Sequence, residues 1–309
     1  MRSRALVLGL VLVLTAGCER ADPAPDSAIG EYSAPRSFIF FNRDRYELGP
    51  VLEAHGKRLF VQLQDVSFDA RLNVPDYLVE DPAFSGGSAR QYETHGSEDS
   101  DATFDGWVAR RWEPAVRARF AKLLQALGRE LDGKIEGINL PETAVGFGES
   151  GRLHPDGFTY EGYFEGVKAT MTSAREAFSH STVIQYANFM PGEALPWDDK
   201  GYLRGVYEHA ENAGVGVGGP DLLPHRQGQR THSLPLIAAR GPEVTAGLAV
   251  QWGNLEDVNP DTGLPVTVGE LYEFARDSLR LDYIFWGVQE PYYMDDVLPY
   301  LEGLPRDPL

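Results

Sequence analysis

The chain has 309 residues, a net charge of −18 and one cysteine. So acidic a protein repels the phosphates of nucleic acid and the headgroups of anionic lipid, which excludes both as electrostatic partners. With 42% hydrophobic residues it is long enough for one large domain whose core needs no disulfide.

Arg2 and Arg4 precede an apolar run from Ala5 to Leu14, too short to span a bilayer as a helix, that reads as the centre of an export signal. The next residues, Leu14-Thr15-Ala16-Gly17-Cys18, resemble the lipobox of bacterial lipoproteins, in which small residues precede the cysteine that receives a diacylglycerol. The resemblance implies a signal over residues 1–18 and a lipid on Cys18 as the chain's sole contact with a membrane. Because Glu19 follows in place of an aspartate, it also implies an outer-membrane address. An ordinary signal peptide that happens to contain a cysteine is the alternative. Residues 19–36 contain Pro23, Pro25, Gly30 and Pro35 and few apolar side chains, which predicts a flexible tether. The folded domain is then 37–309.

From Ser37 onward, short apolar or β-branched runs alternate with stretches of helical period. Strands are predicted at Ser37–Phe41, Leu59–Gln64, Ile135–Leu140, Thr182–Tyr186, Gly214–Gly218, Gly247–Trp252 and Tyr283–Trp286. Helices are predicted at Gly106–Leu131, Glu161–Phe178, Lys200–Asn212 and Val268–Leu279, the last opened by a capping box of Thr267 and Glu270. Between them, Ser67 to Asp105 reads as a long loop, rich in Gly, Ser and Asp and broken by Pro75 and Pro82, which lies over the site as a lid or decorates the surface.

Strands joined by crossover helices make an α/β fold, here a (β/α)8 TIM-barrel-like single domain with a shortened or irregular first part. A doubly wound open sheet is the alternative. The polar residues at the strand ends favour the barrel, which gathers them at one mouth. They are Gln64 and Asp65, Asn139 and Glu142, Tyr186 and Asn188, Asp221, Gln251 and Trp252, and Trp286. A mouth of amides, aromatic rings and carboxylates suits a carbohydrate ligand, with Trp252 and Trp286 as stacking platforms.

Glu142 is the candidate for chemistry, because a carboxyl at the end of a buried strand is kept protonated near neutral pH and can protonate a glycosidic oxygen. Capping the turn or pairing with an arginine is its structural alternative. No His-Glu-x-x-His zinc pattern and no Gly-x-Ser-x-Gly elbow is present, and Gly214 to Gly219 leads into Pro220 in place of a helix, which argues against a dinucleotide site. No cofactor is expected and no metal is assigned, although His225 and His232 share a loop with Asp221.

Gly137-Ile138-Asn139-Leu140-Pro141-Glu142-Thr143 and Tyr283-Ile284-Phe285-Trp286 resemble the (β/α)-barrel glycoside hydrolases whose acid/base glutamate closes the fourth strand and whose nucleophile closes the seventh. The resemblance covers 37–303 and implies Glu142 as acid/base and Trp286 as the floor of a sugar subsite. Two departures stand out: Pro141 replaces the usual asparagine, and Gln251 stands where the nucleophilic glutamate is expected. A partner carboxylate must then come from Glu290, Glu256 or Asp221. The expected function is a glycoside hydrolase acting on a poly- or oligosaccharide at the cell envelope. A non-catalytic carbohydrate-binding lipoprotein on the same scaffold, motivated by Gln251, is the alternative, and a structural envelope protein is a more remote one.

Overall fold

The computed structural model describes residues 10–15, 34–42, 58–94, 99–251 and 253–304, with 10–15 and 40–42 as backbone only. Cys18, most of the expected tether and Trp252 lie outside the described residues. The strands in chain order are β1 (Leu10–Thr15), β2 (Arg36–Asn42), β3 (Leu59–Leu63), β4 (Val66–Ser67), β5 (Ser88–Glu93), β6 (Thr103–Ala109), β7 (Gly137–Leu140), β8 (Thr182–Tyr186), β9 (Gly216–Gly219), β10 (Ala246–Val250), β11 (Val258–Asn259), β12 (Leu264–Pro265) and β13 (Tyr283–Gly287).

Eight of them close a barrel in the order β1-β2-β13-β10-β9-β8-β7-β3. The seven strands expected from the sequence are all in it and pair in parallel with their neighbours. The open sheet is thereby excluded. The eighth stave is β1, which lies within the apolar run read as an export signal and runs antiparallel between β2 and β3.

Parallel strands inside a shell of helices are covered on both faces, which is why β7, β9, β10 and β13 are buried at every position. Alternate side chains fill the barrel, where Phe38, Phe60, Ile184, Tyr186, Ala249, Tyr283 and Phe285 form one cluster. The remaining side chains face the helices Pro114–Leu131, Tyr160–Ala177 and Tyr202–Ala213 in a second, larger core. The glycines of β9 have a packing cause: a Cβ on Gly218 would stand 2.0 Å from the Gly247 carbonyl oxygen on β10.

The end of the barrel where the strands begin is closed by charge. Glu136, just before β7, accepts from Arg36, from Arg58 at 3.4 Å and from the Tyr283 hydroxyl at 2.8 Å. Burial works against its ionisation, but Arg36, Tyr283 and Arg58 together hold its carboxyl below the usual glutamate range. Among the described residues no helix is long and apolar enough to cross a membrane.

Two expectations are corrected. The first helix runs over Pro114–Leu131 and does not begin at Gly106, because Glu113 is extended and Pro114 takes the first helical turn. Trp107 and Val108 belong instead to β6. The segment Ser67 to Asp105 is not a bare loop: it holds the short helix Asp76–Glu80 and most of a three-stranded antiparallel sheet ordered β4-β6-β5. Gly106 allows its tight bend, with φ +130° and space for a Cβ only 2.0 Å from the Ser67 carbonyl oxygen. Later in the chain, Thr267 and Glu270 do form the expected capping box, and the helix Val268–Glu273 continues as a π-helical turn, Phe274–Ser278.

Candidate active site

Strand β7 ends at Leu140, and Pro141 turns the chain so that Glu142 stands half-buried at the mouth. The turn is held at four points. The Thr143 amide donates to the Tyr186 carbonyl at 3.0 Å, and the Thr143 hydroxyl donates to the Phe189 carbonyl at 2.6 Å. Arg111 donates to the Glu142 carbonyl at 2.6 Å, and the Tyr163 hydroxyl donates to the Thr143 carbonyl at 3.0 Å. Arg111 is fixed in turn by Asp65, to which it is joined by two hydrogen bonds, and by the Tyr163 hydroxyl at 2.7 Å.

With its backbone pinned, the Glu142 carboxylate faces Asn188, whose amide donates to Oε2 at 2.8 Å. Burial pushes the Glu142 pKa up to about 7, the Asn188 hydrogen bond works against that rise, and the nearby charge of Asp221 adds to it. Glu142 and Asp221 are therefore electrostatically coupled carboxyls, on strand ends separated only by β8. Asp221 accepts from the Asn254 amide at 3.0 Å and from the Gln251 amide at 3.4 Å.

This arrangement assigns a position to each candidate. Asp221 is the candidate carboxylate whose charge reaches Glu142. Glu256 and Glu290 are exposed; Glu256 accepts from Gln289 at 3.1 Å, and the charge of Glu290 is felt by Tyr293. Gln251, which raised the question of lost chemistry, orients Asp221. The carboxylates follow the third and fifth of the seven parallel strands, a closer placement than the fourth and seventh of the resembled enzymes.

Asn139 and Tyr186 lie on the floor of the mouth, both buried, with the Asn139 amide donating to the Tyr186 hydroxyl at 3.1 Å. The side-chain oxygens of Asn139 and Asn188 are buried and without a hydrogen-bond partner. Buried acceptors left unpaired carry a free-energy cost.

Three expected binding residues sit elsewhere. Asp65 is occupied by Arg111, and Gln64 lines a separate cavity of about 60 Å³ under Asn73 to Leu78. Trp286 is 0% exposed and belongs to the core beneath the helices, its indole nitrogen donating to the Ser37 hydroxyl at 3.2 Å. Strand alternation is the cause: Tyr283 and Phe285 point into the barrel, so Trp286 points out of it. Trp252 cannot be placed, since it lies outside the described residues. His232 uses both ring nitrogens, accepting from the Leu195 amide at 2.9 Å and meeting the Gly228 carbonyl at 2.9 Å.

Arg111 and Tyr163, which shape the site most, went unread in the sequence. A paired Arg110-Arg111 in an otherwise apolar neighbourhood was the available signal.

The three-stranded sheet flanks this mouth. The Tyr92 amide donates to the Gly146 carbonyl at 2.7 Å, Gly146 donates to the Gln91 side chain at 3.2 Å, and Asp99 accepts from Glu149 and Ser150. Between the sheet and the strand-end loops runs a groove of about 250 Å³.

No protein-family model and no curated protein matches the chain. Among solved structures it is similar to the catalytic domain of a beta-amylase from Paenibacillus polymyxa, with 9% identity over 78% of each chain and a TM-score of 0.48. It is also similar to Aspergillus fumigatus Ega3 in complex with galactosamine, with 10% identity over 76% of this chain and 77% of that one and a TM-score of 0.39.

Proposed function

We propose that this barrel is a glycoside hydrolase of the cell envelope, with Glu142 as proton donor and Asp221 as the opposing carboxylate. The observation that carries the reading is the coupled pair itself: a glutamate whose pKa is pushed up to about 7 beside a second carboxylate held by two amides. A general acid works best when its pKa lies near the operating pH.

Cleavage then proceeds as follows. Glu142 gives its proton to the glycosidic oxygen as the bond from that oxygen to the anomeric carbon breaks, so the leaving sugar departs as a neutral alcohol. Asp221 meets the positive charge that develops on the anomeric carbon. It either bonds to that carbon, forming an ester that water then cleaves as the Glu142 carboxylate takes the water's proton, or takes a proton from the water that attacks the carbon directly, and the configuration of the product distinguishes the two. Asn188 fixes the Glu142 carboxyl.

The test is a screen of the purified protein and its Glu142→Gln variant against a panel of polysaccharides. Glu142→Gln keeps the shape but has no proton to give, so turnover is expected to fall at least about a hundredfold with binding retained. Equal turnover by the two proteins sinks the assignment, and binding with no turnover by either makes the domain a carbohydrate binder.

We further propose that Cys18 carries a lipid that holds the protein at the outer membrane, a reading supported by the lipobox-like residues alone. Cys18→Ser is expected to abolish metabolic lipid labelling and membrane retention. Unchanged labelling removes the anchor.

A further inference from the structure

The groove between the small sheet and the barrel begins at the catalytic turn. One wall is Ala144 to Gly146, which starts two residues beyond Glu142; another is Phe189 to Pro191, which starts next to Asn188. The opposite wall is Phe68 and Asp105 from the sheet. Phe68 is 55% exposed, one of the large apolar side chains left open at the described surface.

The groove's electrostatics are one-sided. Among the described residues no lysine, arginine or histidine lines it, and Asp105 is the single ionisable one that does. Asp105 is half-buried and has no hydrogen-bond partner among the described residues. Burial and the charge of Glu93 both raise its pKa, and among the described residues no cation offsets them. Arg90, on the neighbouring strand, is turned onto the rings of Phe104 and Trp107, at 4.8 and 5.7 Å from their centroids.

The adjoining mouth points the same way. It holds the carboxyl groups of Glu142 and Asp221, and among the described residues no cationic side chain hydrogen-bonds to either carboxyl. An ammonium group supplies three donors and a positive charge, whereas a carboxylate or sulfate supplies neither. The ring face of Phe68 accepts both the C–H face of a pyranose and a nearby cation.

We infer that this groove is a saccharide subsite selective for an amino sugar with a free, protonated amine, Asp105 pairing with the ammonium and Phe68 stacking on the ring. The inference rests on the glycosidase reading of the mouth and names its substrate class. Uronic and sulfated saccharides are excluded by the same charges.

The test is binding, measured apart from hydrolysis. Isothermal calorimetry at pH 6 and low salt compares oligomers of glucosamine and of galactosamine with their fully N-acetylated counterparts and with a uronic acid oligomer, using the detergent-solubilised full chain. At least a tenfold preference for one of the free-amine oligomers over its acetylated counterpart is expected, with no detectable binding of the uronate. Asp105→Asn is expected to remove most of that preference while leaving affinity for the acetylated oligomer unchanged, and Phe68→Ala to weaken both. Equal affinity for free-amine and acetylated oligomers, or a preference that survives Asp105→Asn, overturns the subsite. Hydrolysis of neutral sugars without amine preference overturns it and leaves the glycosidase reading standing. Selective amine binding without cleavage of any sugar does the reverse.

Discussion

The Asn188 side chain donates to Glu142 Oε2 at 2.8 Å, a contact that favours the charged carboxylate, yet burial outweighs it and the pKa is pushed up to about 7. The folded state therefore holds this proton more tightly than the unfolded chain, where a glutamate titrates near about 4.3. The stability this contributes is full below about pH 4 and is lost as pH rises through about 7, a decline on the order of 3 kcal/mol. Glu142→Gln is neutral throughout, so denaturant melts are expected to show it matching the parent at pH 5 more nearly than at pH 8, where it is the more stable. The window must stay above pH 5, because the depressed carboxyl of Glu136 adds stability that is lost as pH falls through its folded pKa. A parent protein whose stability is flat from pH 5 to 8 contradicts the raised pKa.

Asp221 and Gln251 make separable predictions. Asp221→Asn is expected to lower turnover as much as Glu142→Gln does, at least about a hundredfold, because it removes the opposing carboxylate. Gln251→Ala removes only one of two amide donors to Asp221 and is expected to cost about tenfold, the kinetic equivalent of one neutral hydrogen bond. Glu256→Gln and Glu290→Gln are expected to leave kcat/KM within about twofold, since both carboxylates are exposed and neither acts on Glu142. A loss at Glu290 equal to that at Asp221 moves the partner acid to the other side of the mouth.

Seven of the eight barrel strands were readable, most of them because β-branched and aromatic runs survive in them, whereas β1 reads as an export signal; Glu142 was readable because a strand-end turn is a local feature. What failed was orientation and distance. A strand buried on both faces has no polar alternation, so nothing in Tyr283-Ile284-Phe285-Trp286 says which side chains enter the barrel. Arg111 binds Asp65 from 46 residues away, a pairing that no local pattern carries. The sheet strand Ser88–Glu93 is Ser-Ala-Arg-Gln-Tyr-Glu, without a β-branched residue, and is held by its partner more than by propensity. Gln251 reads as a missing nucleophile until the fold sets it beside Asp221.

The Arg111–Asp65 pair separates positioning from stability. Arg111→Met leaves a buried, uncompensated Asp65 and is expected to cost about 3–5 kcal/mol in a denaturant melt. The double variant Arg111→Met/Asp65→Leu removes both charges and is expected to recover most of that loss. Turnover is not expected to recover with it, because the Glu142 carbonyl has still lost the donor that holds its turn. Full recovery of kcat in the double variant makes the pair a stability element only.

Trp286 is a core residue, and its substitution reports on folding. Trp286→Ala removes a fully buried indole and is expected to destabilise by about 3–5 kcal/mol. Trp286→Phe keeps most of the packing, loses the hydrogen bond to Ser37, and is expected to cost less than half as much. Oligosaccharide affinity of the folded Trp286→Phe protein should equal the parent's. Weakened binding with an unchanged melt returns the indole to the sugar site.

Removal of the signal proposed over residues 1–18 takes β1 with it, and the barrel is expected to close without it. β1 pairs with β2 on one side and β3 on the other, so cleavage after residue 17 exposes two strand edges that would otherwise invite aggregation. Inside the barrel, however, the Phe38 ring of β2 already meets the Phe60 ring of β3 edge-on at 5.2 Å. Both strands run in the same direction, each parallel to its remaining neighbour, so a closure of about one strand spacing, roughly 4.8 Å, makes them one more parallel pair. A chain beginning at Cys18 is therefore expected to melt cooperatively and to keep the amides of β2 and β3 protected from hydrogen exchange. Monomeric protein with protected edges supports closure; edge amides that exchange at unfolded rates, or loss of the cooperative melt, make β1 an indispensable stave and contradict its removal on export.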